Sequence, residues 1–147
     1  SFPTRRSSDL SAGIQDIGRL QTLFLQLGYH TKRETVEARL KEAEGRDGIL
    51  VAESGSVVRG VVVIHFMTPV HEEGRWAVIS ALVIDEACRG EGLGQALLAE
   101  AERLSRQQGC TQIELSSSER RTRAHKFYED NGYHEVRKRF VKPLAAP

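Results

Sequence analysis

The feature that most limits how this chain can fold is an apolar segment that leads through a glycine-rich turn into an amphipathic segment. Residues 76–84 are predicted to form a central strand covered on both faces, because they are apolar along nearly their whole length. From about residue 92 to residue 108, leucine and alanine recur at helical spacing, which predicts a helix that ends at Gly109. The turn between the two, "RGEGLG" at residues 89–94, has glycine at alternate positions. A strand, a turn and a helix in this order favour a mixed α/β domain.

Hydrophobic periodicity predicts the remaining helices and strands. Thr31 is the candidate N-cap of the second helix, because Glu34 lies at the spacing of a capping box. The helices are predicted over residues 15–28, 31–45 and 121–131, and the strands over two segments around Ser54-Gly55 (the second at 61–66), over 111–115, and over 133–136 and 139–142. The order of these elements predicts one layer of sheet with helices on both sides.

The bulk properties of the chain exclude several classes of function. A length of 147 residues fits one domain, which we place at residues 11–147. The net charge of +1 gives no electrostatic reason to expect a nucleic-acid or membrane partner, and no apolar run approaches the ~20 residues of a membrane span. The two cysteines, Cys88 and Cys110, form no disulfide framework, which favours a reducing, cytoplasmic location.

The first ten residues, "SFPTRRSSDL", stand apart from the rest of the chain. They resemble a sequencing-library adapter translated in one reading frame, and an ordinary disordered leader is the alternative interpretation. On either interpretation we treat residues 1–10 as a leader outside the domain.

The glycine-rich turn has the arrangement of an anion-binding site. A helix N-terminus offers unpaired N–H groups and a partial positive charge, and glycines let a phosphate approach the main chain. The turn does not match a P-loop, because no lysine follows it, and its Gly-x-Gly-x-Gly spacing differs from the dinucleotide fingerprint. A plain strand-to-helix corner is the alternative that the spacing leaves open.

Two segments together resemble the GNAT superfamily of acetyl-CoA-dependent N-acetyltransferases. The first, "ALVIDEACRGEGLGQALLAEAE", meets the Arg/Gln-x-x-Gly-x-Gly/Ala pattern of that family with Arg89, Gly92 and Gly94. The second, "RTRAHKFYEDNGY" at residues 121–133, follows at the expected distance. The resemblance covers roughly residues 14–142 and implies a central mixed, mostly antiparallel sheet flanked by about four helices. It also implies a first strand ahead of the first helix, where the adapter-like residues stand.

The resemblance implies which residues bind acetyl-CoA. The diphosphate is expected at the backbone of the turn, and pantetheine is expected to lie along the central strand like an added strand. A backbone N–H near Val83 would then face the thioester carbonyl. The residues expected to contact the cofactor are Leu82, Val83, Ile84, Arg89, Gly90, Glu91, Gly92, Leu93, Gly94, Gln95, Arg121 and His125. His125 is open to a second interpretation, in which it pairs with Glu129 on the helix surface.

The resemblance implies Tyr128 as the general acid, since a phenol of pKa ~10 can protonate a departing thiolate. The alternative is that Tyr128, like Phe127, only forms the apolar face of its helix. The general base is not visible. Ser80 stands where many family members carry a glutamate, and a serine cannot take a proton unaided.

Several other residues are candidates for the general base, for a metal site or for a nucleophile. The base is either water or one of the loop residues His71, Glu72 and Glu73, each of which also fits a solvated loop position. The spacing of these residues with His65 matches no standard metal site, so no metal is expected. Cys88 is interpreted as a plain buried thiol and not as an acetyl-carrying nucleophile, and Cys110 as a core residue.

We therefore expect an enzyme that transfers acetyl from acetyl-CoA by direct attack of a primary amine of a small molecule. An aminoglycoside-type amine, and with it antibiotic resistance, is one option. A protein N-terminus or lysine side chain is the second enzymatic option. A non-catalytic acyl-CoA-binding regulator is the alternative from another class, because the strand glutamate is missing. A homodimer is possible, since edge strands commonly pair in such folds.

Overall fold

A computed structural model describes residues 10–117, 122–136 and 139–145. The chain divides into two compact units, the first ending at Ser116 and the second beginning at Ser117. None of the helices in these described ranges is long and apolar enough to cross a membrane.

The first unit is built around a four-stranded sheet in the order β1-β2-β3-β4. Its strands are β1 (Gly48–Ser54), β2 (Val57–Met67), β3 (Arg75–Ile84) and β4 (Cys110–Leu115), and its helices are α1 (Ile17–Leu27), α2 (Arg33–Ala43) and α3 (Leu93–Gln107). β2 is antiparallel to both β1 and β3. β4 is parallel to β3, because α3 returns the chain to the end of the sheet at which β3 begins. The predicted mixed, mostly antiparallel sheet is thereby confirmed.

Successive side chains of a strand point to opposite faces of the sheet, and apolar side chains cover both faces here. On one face, α1 and α2 pack on the odd-numbered positions of the central strands, where Val51, Val61 and Val83 are buried. On the other face, α3 approaches so closely that a Cβ at Gly48 would lie 2.9 Å from the Leu104 side chain. Fully burying a side chain such as Leu20, which is 1% exposed, contributes about 1.5–3 kcal/mol.

The segment before α1 belongs to this core. Leu10 is only 3% exposed, and its carbonyl accepts a hydrogen bond from Val51 N–H at 2.8 Å. Ser11 forms an antiparallel bridge with Leu50. Leu10, the last residue of the decapeptide, is thus hydrogen-bonded to β1. The first strand that the family resemblance implies would fall mostly on residues 1–9, which lie outside the described residues.

The second helix starts later than the capping-box spacing predicted. Lys32 is the N-cap of α2 and makes no side-chain cap hydrogen bond. The carbonyl of Thr31 instead accepts a hydrogen bond from Gln21 Nε2 of α1 at 3.0 Å. The prediction of Thr31 as N-cap was wrong because the first hydrogen bond of the helix runs from Val36 N–H to the Lys32 carbonyl, one residue further along the chain.

The second unit contains α4 (Thr122–Asp130). Gly132, with φ of 90°, ends it in a Schellman arrangement, in which Tyr133 N–H donates to the Tyr128 carbonyl at 2.9 Å. The strands predicted over 133–136 and 139–142 are absent from the described residues. An alternating pattern alone does not form a strand, because a strand needs a pairing partner; Phe140 in this segment is 91% exposed, and residues 137 and 138 lie outside the described ranges.

Candidate functional site

Over the second half of β3, one edge has no strand partner among the described residues. Pairing between β3 and β4 runs from Arg75 and Cys110 to Ile79 and Leu115 and stops there. Beyond Ile79, β3 continues to Ile84 and pairs, among the described residues, only with β2 on its other side. Strand groups that face an open edge can bond to an extended, amide-bearing chain. The sequence-predicted Leu82, Val83 and Ile84 all lie in this segment.

A β-bulge marks the point where the open edge begins. Val63 pairs with Ala81 and Ile64 with Ile79, so Ser80 is the extra residue on β3. The Ser80 Oγ lies 2.7 Å from His65 Nε2. Bulges bend a strand and redirect a side chain, and they are frequent beside active sites. The sequence suggests no role for His65 beyond a metal site that its spacing excludes, and no sequence signal marks the bulge.

The glycine turn follows β3 within the same unit. Gly90 and Gly92 have φ of 88° and 81°, a left-handed conformation that costs other residues about 1–2 kcal/mol each. Gly92 is the N-cap of α3 and offers no side-chain cap. The first bond of the helix runs from Ala96 N–H to the Gly92 carbonyl, which leaves the N–H groups of residues 93–95 without helical acceptors.

The surface of this turn is mostly main chain. Leu93 anchors it from below, because its side chain is buried at 1% exposure. Arg89, Glu91 and Gln95 are exposed, and Gly94 is half-buried. The first turn of α3 contains no acidic residue, so its partial positive charge is not compensated within the helix. The turn is therefore suited to an anion, and Glu91 is the one acidic neighbour among residues 89–95.

A buried carboxylate holds the turn against the sheet. Asp85, 6% exposed, accepts hydrogen bonds from Arg59 at 2.9 Å and from Arg19 at 2.7 Å. It also accepts one from the N–H of Ala87 at 3.1 Å, which caps the short 3-10 turn at Glu86–Cys88. The hydrogen bond from Arg59, followed by the one from Ala87, holds the pKa of Asp85 well below its usual range. Sequence reasoning missed this residue.

The cysteines do not have the surroundings of a nucleophile. Cys88 is buried, and burial, with a smaller contribution from Glu91, raises the pKa of its thiol. Burial likewise raises the pKa of the half-buried Cys110. A raised pKa disfavours the thiolate, which is the reactive form. The interpretation of Cys88 as a plain buried thiol agrees with this environment.

The loop residues proposed as bases lie at the opposite end of β3. Glu72 accepts a hydrogen bond from Trp76 Nε1 at 3.0 Å, and the His71 ring meets the Trp76 ring edge-on at 5.6 Å. Trp76 is four residues before Ser80 on the strand, which corresponds to roughly 13 Å of extended chain. Both side chains are therefore held away from the bulge and the open edge.

In the second unit, α4 carries the remaining predicted residues. Tyr128 is half-buried, and its ring lies against those of Phe127 and Tyr133 at 5.5 and 6.1 Å. No hydrogen bond or ion pair joins His125 to Glu129 within the part of α4 that is described. Arg121 lies outside the described residues. The roles of these three residues stay predictions.

Solved structures share this fold. A GNAT family acetyltransferase from Staphylococcus aureus subsp. aureus USA300_TCH1516 superposes with a TM-score of 0.76 at 25% identity, covering 98% of both chains. An aminoglycoside N-acetyltransferase in complex with CoA has a TM-score of 0.80 at 15% identity over 92% of each chain. A transcriptional regulator from Bacillus halodurans C-125 has a TM-score of 0.81 at 20% identity, covering 91% of this chain and 97% of that one. The last two likenesses concern the fold alone.

Sequence comparisons are more specific. A curated relative, the aminoalkylphosphonate N-acetyltransferase of Salmonella typhimurium (strain LT2), is 37% identical over 95 residues, which are 65% of this chain and 61% of the relative. The family model described as "Acetyltransferase (GNAT) family" matches residues 14–133. The chain belongs to the GNAT family of acetyltransferases.

Proposed function

We propose that the protein transfers the acetyl group of acetyl-CoA directly to a primary amine of a small molecule. The observation that carries this proposal is the open edge of β3, which leads within one unit into the glycine turn and the N-terminus of α3. Membership of the GNAT family, which uses acetyl-CoA, supports it further. We also propose a cytoplasmic location, since Cys88 and Cys110 are free thiols.

Two groups of residues in the first unit are proposed to bind the diphosphate and the pantetheine of CoA. The N–H groups at the start of α3 and the exposed Arg89 would hold the diphosphate. The open edge at Leu82, Val83 and Ile84 would bind the amides of pantetheine as an added strand. Acetyl-CoA would supply the thioester. A backbone N–H of this edge near Val83 would polarise the carbonyl of that thioester.

The proton donor for the leaving group is proposed from the sequence match alone. Tyr128 is proposed as general acid on the strength of its place in "RTRAHKFYEDNGY". Its hydroxyl would protonate the CoA thiolate as the amine attacks. Arg121 and His125 are proposed on the same sequence match as cofactor contacts.

The acceptor class is proposed from the relatives. The 37% identical curated relative is named for aminoalkylphosphonate, a small amine, and this favours a small molecule over a protein lysine or N-terminus. An aminoglycoside-type amine remains a second acceptor to test, because a structural neighbour is named for it.

The test follows thiol release from acetyl-CoA with four acceptors: an aminoalkylphosphonate, an aminoglycoside, a lysine-containing peptide and a peptide with a free N-terminus. We expect turnover with at least one small amine and little with either peptide. Turnover of the peptides alone would replace the proposal with protein acetylation. Tight CoA binding with no thiol release from any acceptor would favour a non-catalytic regulator.

A further inference from the structure

Three polar side chains form a row across the sheet at the bulge of β3. Ser80 Oγ lies 2.7 Å from His65 Nε2, and the other ring nitrogen, Nδ1, lies 3.4 Å from Asp47 Oδ2. The His65 side chain is 46% exposed and the Asp47 side chain 30%. The imidazole therefore contacts a hydroxyl on one side and a carboxylate on the other, and part of it still faces water.

Strand register brings these three residues together. Gly48 pairs with Ile64, so the preceding Asp47 lies beside His65, and His65 itself pairs with Val78. His65 follows Val61 and Val63 on the face that α1 and α2 cover. Val78 and Ser80 are two residues apart and so lie on one face of β3, the face of His65, and the extra residue at the bulge brings Ala81 onto that face as well.

The contacts favour one direction of proton movement. A carboxylate beside Nδ1 favours the tautomer with the proton on Nδ1, which leaves Nε2 as an acceptor for the Ser80 hydroxyl. An imidazole that then gains a second proton is stabilised by the carboxylate of Asp47. A serine cannot act as a base unaided, but a serine that donates to an imidazole can pass a proton on.

We propose that Ser80 and His65 form the proton relay that deprotonates the acceptor amine. The ammonium nitrogen gives one proton to Ser80 Oγ, while Ser80 gives its own proton to His65 Nε2. The amine becomes neutral and nucleophilic, the serine is regenerated and the imidazolium, next to Asp47, releases its proton to water. Ser80 touches the amine, and His65 and Asp47 act through it. This relay rests on the proposed acetyl transfer.

Other charged side chains lie on the elements that surround the row. On α1, the Arg19 guanidinium donates to Asp85 and to the Val58 carbonyl. On α2, Arg39 pairs with Glu42 and Lys41 with Glu37 along the helix surface. On β4, Glu114 lies in the same row as His65, with Val78 between them.

The pH dependence of kcat tests the relay. The wild type should lose activity on the acid side, because a protonated His65 cannot accept the proton of Ser80. His65→Gln should lower kcat about 10²-fold and remove that acid limb, with the CoA affinity unchanged. Asp47→Asn should lower kcat less than His65→Gln does, because the imidazole remains but the imidazolium loses its carboxylate. His134→Gln, at an exposed position of the second unit, is the matched control and should behave as wild type.

A rescue variant separates a proton-transfer role from a structural one. In the background of His65→Gln, Ser80→Glu places a carboxylate at the bulge, which can accept the proton directly, and should raise kcat at least tenfold above that of His65→Gln alone. A lack of rescue together with an acid limb that persists in His65→Gln would overturn the relay. If His71→Gln removes the acid limb of the kcat profile and His65→Gln does not, the general base lies in the loop that contains His71.

The tautomer of His65 gives a readout that does not need turnover. Nitrogen-15 spectra of the neutral ring should show the proton on Nδ1 in the wild type; a proton on Nε2 would overturn the relay. If the wild type turns over no amine at all, the proposed transfer fails and the relay with it. If it turns over amines and His65→Gln is as active as wild type, only the relay fails.

Discussion

Arg19 of α1 and Asp85 at the end of β3 form an ion pair of 2.7 Å between residues 66 positions apart in the sequence. The same guanidinium donates through Nε to the Val58 carbonyl at 2.9 Å. One carboxylate thereby joins α1, β2 and β3 immediately before the turn proposed to bind CoA. The ion pair fixes that turn through contacts that lie outside it.

Replacement of Asp85 by asparagine should lower the free energy of unfolding by about 3 kcal/mol, because it leaves partly buried guanidinium groups without their counter-charge. Urea denaturation followed by circular dichroism measures this change. Glu86→Gln, at the exposed neighbouring position, is the control and should change stability by less than about 0.5 kcal/mol. Equal losses in both variants would show that the buried carboxylate has no special role.

The stability that Asp85 contributes should also depend on pH. Since its pKa is lowered in the folded protein, the contribution is fully present above the unfolded value of about 3.9 and is lost as the pH falls through the lower folded value. The stability difference between wild type and Asp85→Asn should therefore be constant from about pH 8 to pH 5 and narrow below about pH 4. A difference that stays constant down to pH 2 would contradict the lowered pKa.

Gly92→Ala should weaken CoA binding at least tenfold, about 1.4 kcal/mol, because a Cβ would stand at the turn and the left-handed conformation would be strained. Isothermal titration with CoA measures the affinity. Gly45→Ala is the matched control, since Gly45 has φ of 71° but lies outside the proposed site. It should lose similar stability and keep its CoA affinity within twofold. Equal losses of affinity would assign the effect to folding.

Tyr128→Phe should lower kcat by about 10²-fold or more and leave the CoA affinity unchanged, because it removes only the hydroxyl proposed as proton donor. Steady-state thiol release measures it. Tyr133→Phe, whose ring neighbours that of Tyr128, makes the same chemical change nearby and should retain activity. If Tyr128→Phe is as fast as wild type, the assignment of the acid falls.

Cys88→Ala should keep most of the activity, since the raised pKa of the thiol disfavours a covalent acetyl-enzyme. Mass spectrometry of the wild type after mixing with acetyl-CoA, without acceptor, should detect no acetyl group on Cys88. An acetylated Cys88 that disappears when the amine is added would instead require transfer in two steps.

Local pattern determined which parts of the fold could be predicted. The strand, the glycine turn and α3 could be predicted because each depends on neighbours in sequence, and the helix predicted over residues 15–28 agrees with α1, which ends at Leu27 before Gly28. Pairings between distant residues were not readable. The contacts of Asp85 with Arg19 and Arg59 and the bulge at Ser80 follow from tertiary register, which periodicity does not contain. The predicted strands after α4 failed for the same reason, since a strand needs a partner that its own residues do not specify.

The unequal lengths of β3 and β4 have a consequence for how such a protein can diverge. Because β4 stops at Leu115 while β3 runs on to Ile84, the open edge proposed to bind pantetheine consists of backbone groups and depends little on which side chains border it. On this proposal, descendants can exchange those side chains, and change which amine they accept, while the backbone that would bind acetyl-CoA stays the same.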